Sequence, residues 1–248
     1  MSTPYTSDFY NTYRDESQRS AGIVASLLLS LTQARSVVDV GCGIGTWLQA
    51  FRRLGIGNAV GIDGNYVDRQ QLLIPPDTFR PHDLNTPIRL ETEFDLALSV
   101  EVAEHLSASR AGQFVESLCA LAPVVAFSAA IPYQGGNDHV NEQWPGYWAA
   151  LFAKCGYAAY DCLRPQLWNI PEVAYYYAQN MLLFVRKDRV ASYPALGGLS
   201  ETQEPLAMVH PRRWLEANDP KRQRLPPLLH ALPHSLSNAV KRRVRRLL

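Results

Sequence analysis

Residues 36–48 read SVVDVGCGIGTWL, and the reading of this stretch decides the fold. Apolar and β-branched residues lead into Asp39. Glycines follow at 41, 43 and 45, and Trp47 and Leu48 open an apolar pattern of helical period. A buried strand, a tight glycine turn and a helix N-terminus account for all of it. Glycine suits the turn because the backbone must bend sharply and lie against a ligand that a Cβ would displace. The helix beyond it begins with N–H groups that have no intrahelical acceptor.

Spacing narrows what such a loop holds. The dinucleotide fingerprint G-x-G-x-x-G requires glycine at 46, and that residue is Thr46. The spacing is instead G-x-G-x-G, with an acid two residues before the first glycine. Asp39-Val40-Gly41-Cys42-Gly43-Ile44-Gly45 resembles motif I of the class I S-adenosylmethionine (SAM) dependent methyltransferases. The resemblance implies an α/β, Rossmann-like fold: a seven-stranded, mostly parallel sheet with a terminal antiparallel hairpin and helices on both faces. It implies SAM as cofactor, its amino-acid end at Asp39, Gly41, Cys42, Gly43 and Gly45. The competing reading is a glycine-tightened strand–helix turn in another α/β domain.

Other pieces follow outward from the loop. Residues 58–62 form a short apolar strand closed by Asp63 and Gly64. An acid there, roughly twenty residues after the glycine turn, can accept both ribose hydroxyls. FRPHDL, residues 79–84, resembles a third-strand end, which implies that Asp83 meets the adenine amino group and the Leu84 backbone meets the ring. Residues 93–100, EFDLALSV, are a fourth strand, and Val100 passes the adenine–ribose side. An amphipathic helix over 15–31 lies where related methyltransferases cover the cofactor. Its Arg19 stands close to where the ubiquinone-pathway O-methyltransferases place an arginine that meets SAM, and a solvated helix-face arginine is the alternative.

Downstream, 107–121 reads as a helix and 123–130 as an almost continuously apolar fifth strand, as a central parallel strand should be. A polar loop over 131–144, a helix over 147–155 and strands over 157–163 and 181–185 complete the sheet. In the methyltransferase fold this chain resembles, Trp144, Trp148, Trp168 and Tyr175 to Tyr177 lie in segments that flank the acceptor side; Trp148 is assigned to the core, and Trp144 and Trp168 read either as acceptor contacts or as core. The expected organisation is a cofactor-covering helical segment over 1–35, a SAM-binding domain over 36–187 and a Pro-rich basic tail over 188–248. The tail ends in AVKRRVRRLL, 239–248, a candidate basic amphipathic helix.

Glu101, Glu104 and His105 follow an E-x-x-E-H spacing directly after the fourth strand. On a helix all three share one face. Two carboxylates and an imidazole aimed at a cleft can hold a divalent cation of the Mg, Mn or Zn kind. His139, in the loop after the fifth strand, offers a fourth ligand. The arrangement is similar to the ubiquinone-pathway O-methyltransferases, with E-x-x-E-H after strand four. It is also similar to the small-RNA 2′-O-methyltransferases, which add a histidine from a later loop. The resemblance implies Glu101, Glu104, His105 and His139 as metal ligands and Glu104, His105 and His139 as catalytic residues. His139 matches in approximate place alone, because NDHVNEQW around it is this chain's own. Without a metal, the same phrase caps a helix and lines the cofactor pocket, and His139 reads as a general base or a locally bonded loop residue.

Composition sets the outer bounds. At 248 residues with 47% apolar content, one good-sized domain plus an appendage is expected. From Lys187 onward there are 12 Lys/Arg against 5 Asp/Glu, a balance of +7 that leaves the first 186 residues at −6. An acidic body argues against nucleic acid as a partner, and the basic end suits peripheral contact with an anionic membrane. Cys42, Cys119, Cys155 and Cys162 show no C-x-x-C or zinc spacing and read as reduced residues of a cytoplasmic protein, peripheral at the inner membrane face through its tail. The N-terminus lacks a signal-peptide pattern, and no apolar run approaches the roughly 20 residues of a membrane span.

The sulfonium of SAM is already an activated methyl donor, so the protein mainly positions and deprotonates the acceptor. The expected activity is O-methylation of a hydroxyl on a small-molecule or glycan acceptor, assisted by a divalent cation. RNA ribose 2′-O-methylation is one alternative, and a non-catalytic SAM-binding interaction protein is another.

Overall fold

The computed structural model describes residues 7–203 and 207–218. Its sheet runs β3-β2-β1-β4-β5-β7-β6. β1 (Ser36–Val40) pairs in parallel with β2 (Asn58–Asp63) on one side and β4 (Leu96–Val100) on the other. β3 (Phe79–Pro81) extends the first wing in parallel, and β5 (Val124–Ser128) the second. β7 (Leu182–Arg186) lies between β5 and β6 (Tyr157–Tyr160), antiparallel to both. Strand order therefore reverses between β1 and β4, where open α/β sheets form a ligand crevice at their carboxyl ends.

The period of two in the strands divides the core into two layers. Val37, Leu96, Leu98, Val124 and Ala126 face α1 (Ser7–Thr32) and α2 (Thr46–Arg53). Val38, Val40, Ala97, Val125 and Phe127 face α3 (Ala111–Leu121) and α4 (Pro145–Lys154), with Trp148 buried among them as expected. Two short helices, α5 (Arg164–Leu167) and α6 (Tyr175–Asn180), connect β6 to β7 on the first face.

Several boundaries differ from expectation for local reasons. The fourth strand starts at Leu96 because Asp95 is used as a clamp instead. Its Oδ2 accepts the backbone N–H of Arg35 and Ser36 and the Ser36 hydroxyl, joining the entries of β1 and β4. The helix expected from 107 begins at Ala111. Before it, Ala103–His105 form a single 3₁₀ turn.

The compact unit that holds the sheet extends to Met208. Leu196 is fully buried in the first core layer, and Thr202 donates its backbone N–H to the Ala159 carbonyl. The following unit, 209–248, contains α7 (Pro211–Asn218), on which Trp214 and Leu215 are exposed. The candidate helix over 239–248 lies outside the described residues. Among the described residues, no helix is long and apolar enough to cross a membrane.

Candidate active site

The glycine loop leaves β1 at the switch point. Gly41 and Cys42 donate their N–H groups to the Ile62 carbonyl, pinning the loop to the end of β2. Gly41, Gly43 and Gly45 all have positive φ, 85°, 53° and 88°. They differ in surroundings. A Cβ on Gly41 would strike Val102 and one on Gly45 would strike Ile74, whereas one on Gly43 would meet nothing within 4 Å. Gly41 and Gly45 are therefore demanded by packing as well as conformation, and Gly43 marks where the loop faces open space.

Two acids stand behind the loop. Asp63 is buried and fully engaged: Gly43 donates its N–H to Oδ2 at 2.6 Å, and the Gly64 N–H and Tyr66 hydroxyl donate to Oδ1 at 2.6 Å each. Asp39 is buried too, but its Oδ2 has no hydrogen-bond partner. Burial, reinforced by the charge of Asp63, pushes its carboxyl up to about 8. An open glycine cradle beside an acid lacking a donor fits the ammonium-bearing end of SAM.

At the carboxyl end of β4 the chain turns through Glu101, which holds a left-handed φ of 55°. Its N–H is shared by the carbonyl and hydroxyl of Ser128 at the end of β5. The turn aims the Glu101 carboxylate at α6, where Asn180 Nδ2 donates to Oε1 at 3.0 Å. Gln134 Nε2 donates to Oε2 at 2.9 Å. Gln179 and the buried Arg164, itself paired with Asp161, complete this polar cluster.

Glu104 sits one 3₁₀ turn further on. It is 0% exposed, and neither carboxylate oxygen has a hydrogen-bond partner. Burial, then the Glu101 charge, hold its carboxyl well above the ordinary range; the nearby amides of Glu104 and Ala130 oppose this without reaching hydrogen-bond geometry. One ligand atom each from Glu104, His105 and His139 lies within 4.8 Å of the others. The two imidazoles meet edge to face at 4.9 Å, and burial followed by His139 holds His105 below its ordinary value.

Of the four residues expected as ligands, three come together. Glu101 does not join them, because the chain is not α-helical there: a left-handed residue followed by a 3₁₀ turn does not put 101, 104 and 105 on one face. His139 does arrive, since the backbone N–H groups of Val140 and Asn141 donate to the Glu104 carbonyl.

Among the other cofactor candidates, Arg19 is exposed on α1, and Asp83 is exposed with Oδ1 receiving two donors from Asn85. Leu84 is half-buried beside it, and Val100 ends β4 paired with Ser128. Sequence reasoning missed Glu142, whose Oε1 lies 3.0 Å from His139 Nδ1, and the amides Gln134 and Asn180. An acid three residues after a loop histidine was the one available signal.

A seven-stranded sheet of this order, with a glycine loop after its first strand, defines a class I SAM-dependent methyltransferase. Residues 10–149, more than half of the chain, match the methyltransferase domain family, and the protein belongs to it. Solved structures share the fold. DesVI of Streptomyces venezuelae is 17% identical with a TM-score of 0.53, over 74% of this chain and 99% of its own. SAM-bound CalS10, an amino pentose methyltransferase from Micromonospora echinaspora, is 16% identical with a TM-score of 0.53, over 75% and 100%. The methyltransferase domain of bacterial CtHen1 is 20% identical with a TM-score of 0.51, over 68% and 98%. By sequence, no curated protein matches.

Proposed function

We propose that this methyltransferase acts on a hydroxyl of a small-molecule or glycan acceptor, with a divalent cation held by Glu104, His105 and His139. One observation carries the reading: a fully buried carboxylate with both oxygens unpartnered, gathered with two imidazoles. Burying a carboxylate is costly unless something compensates its charge, and no donor of the protein is hydrogen-bonded to this one. One oxygen and two nitrogen donors suit Zn or Mn better than Mg, which prefers an all-oxygen shell. When bound, such a cation eases deprotonation of an acceptor hydroxyl. The chain's own residues do the rest. The glycine loop and Asp39 hold the amino-acid end of SAM, and Asp63 stands at the ribose position. The turn after β4 aims Glu104 and His105 at the acceptor side. A bound SAM supplies the activated methyl group.

A nitrogen acceptor is the competing reading, supported by the amino pentose named for CalS10. RNA ribose is less favoured, because residues 1–186 carry a balance of −6. The deciding experiment measures metal content, then methyl transfer to a panel of sugars, diols and amino sugars before and after chelation. Hydroxyl transfer should fall about 100-fold or more on chelation and return with Zn or Mn. Full activity in the chelated protein, or transfer confined to amines, overturns the proposal.

A further inference from the structure

The loop over 131–144 closes around one carboxylate. Glu142 Oε2 accepts the Tyr133 N–H at 2.7 Å, while Oε1 accepts the Gly135 N–H at 3.0 Å and faces His139 Nδ1 at 3.0 Å. Donors from three points of the loop converge on a single side chain. Two residues in the same loop, Tyr133 and Asp138, hold left-handed backbone with φ of 64° and 57°. Such conformations persist only where the surroundings over-determine them. The far end of the loop is tied separately, by Val140 and Asn141 to the Glu104 carbonyl and by Gln143 to the Ala130 carbonyl.

His139 is thereby held from two sides. An ionised carboxylate can only accept, so the ring nitrogen facing Glu142 must carry the proton. In the neutral ring Nε2 is then the nitrogen with the lone pair. On the other side the Nε2–Cε1 edge of the ring lies against Gly136, where a Cβ would collide with it. Gly136 does not have a positive φ, so space for the imidazole, not backbone freedom, explains the glycine.

We propose that Glu142 is the positioning residue of the acceptor side: it sets His139 in the Nδ1–H tautomer, with Nε2 as the basic nitrogen, and clasps the loop in its working shape. The consequence for metal binding rests on the function proposed above; the tautomer does not. Carboxylates placed in this way behind a histidine ligand typically raise metal affinity by about 10- to 100-fold.

The test uses the full chain as wild type, Glu142→Gln and Gly136→Ala, the second disturbing the same ring without touching Glu142. Zn and Mn affinities are measured by calorimetry. S-adenosylhomocysteine affinity reports the intact cofactor end, and nitrogen-resolved NMR of the metal-free protein reads the His139 tautomer. Both variants should bind Zn about 10- to 100-fold more weakly, with S-adenosylhomocysteine affinity changed by less than about twofold. In Glu142→Gln the His139 signals should move from the Nδ1–H form to a mixture. If the wild type binds neither metal yet the tautomer shifts in this way, the metal reading fails and the role of Glu142 stands. If the wild type binds metal and Glu142→Gln changes neither affinity nor tautomer, the role of Glu142 is overturned and the metal site stands.

Discussion

At the end of β2, the buried Asp63 accepts three hydrogen bonds; at the end of β4, the buried Glu104 accepts none. Asp63 is the last residue of its parallel strand and Glu104 comes four residues after the end of its own, at the carboxyl ends of the same sheet, and both are out of solvent. The difference lies in what each end must meet. Asp63 fastens the glycine loop to the sheet, so protein donors occupy it before any ligand arrives. Glu104 is placed by its backbone, whose carbonyl receives Val140 and Asn141, while its carboxylate has no hydrogen-bond partner in the protein. At the first end positive φ falls on the glycines of the loop, whereas at the second it falls on Glu101, Tyr133 and Asp138, where side chains make it costly.

The largest test of this contrast is a pair of isosteric substitutions with opposite outcomes. Glu104→Gln should cut hydroxyl methylation about 100-fold or more, since it removes the anionic ligand. Yet it should stabilise the metal-free protein, by about 1–3 kcal/mol, because an unpartnered buried carboxylate disappears. Asp63→Asn should do the reverse to the fold, costing about 2–4 kcal/mol, because an amide cannot accept three donors as a carboxylate does. Urea unfolding of the chelated variants measures both. Destabilisation by Glu104→Gln would mean that the carboxylate has partners within the protein.

Asp39 is the exception at the cofactor end, and pH sharpens its case. Its folded-state carboxyl stands near 8, against an ordinary 3.8. Between those values the folded chain keeps a proton that the unfolded chain has released, so this group makes stability fall as pH rises. The slope is at most about 1.4 kcal/mol per pH unit. Asp39→Asn should remove that contribution. Its stability advantage over wild type should grow from about pH 5 to about pH 8 and then level off, while its affinity for S-adenosylhomocysteine drops. A difference that does not vary with pH would show that Asp39 is ionised throughout.

What could be read in advance follows from how locally each feature is encoded. The glycine loop, Asp63 and the Glu104–His105 pair each lie within one short stretch, where spacing alone carries the geometry. His139 could be placed because β4 and β5 are neighbours in this sheet order, so the loops after them meet. Glu101 went wrong because a helical face was assumed where one left-handed residue turns the carboxylate toward Asn180. Gln134 and Asn180 were not legible, and Glu142 left only its place three residues after His139: each acts through a contact made in the folded loop or by α6, and a single acid or amide leaves no periodic trace. That the compact unit runs on to Met208 was not legible either, since Leu196 is one apolar residue among prolines and glycines.

The smallest effect concerns how firmly Asp63 is occupied. Of its three donors, two are backbone N–H groups that the glycine loop cannot withdraw. The third is the hydroxyl of Tyr66, a side chain 81% exposed whose ring folds back over Gly64. If Asp63 receives the ribose of SAM, Tyr66 holds the place its hydroxyls would take. Tyr66→Phe keeps the ring over Gly64 and removes one of the two donors on Oδ1, leaving the Gly64 N–H in place. One such hydrogen bond is worth about 1 kcal/mol net, so S-adenosylhomocysteine should bind up to about fivefold more tightly to the variant. Calorimetric titration reads this directly. Weaker binding would make the Tyr66 hydroxyl a ligand contact in its own right. Unchanged binding would mean that ribose recognition does not use Oδ1, and the two ends of the cleft would then differ less than Asp63 and Glu104 suggest.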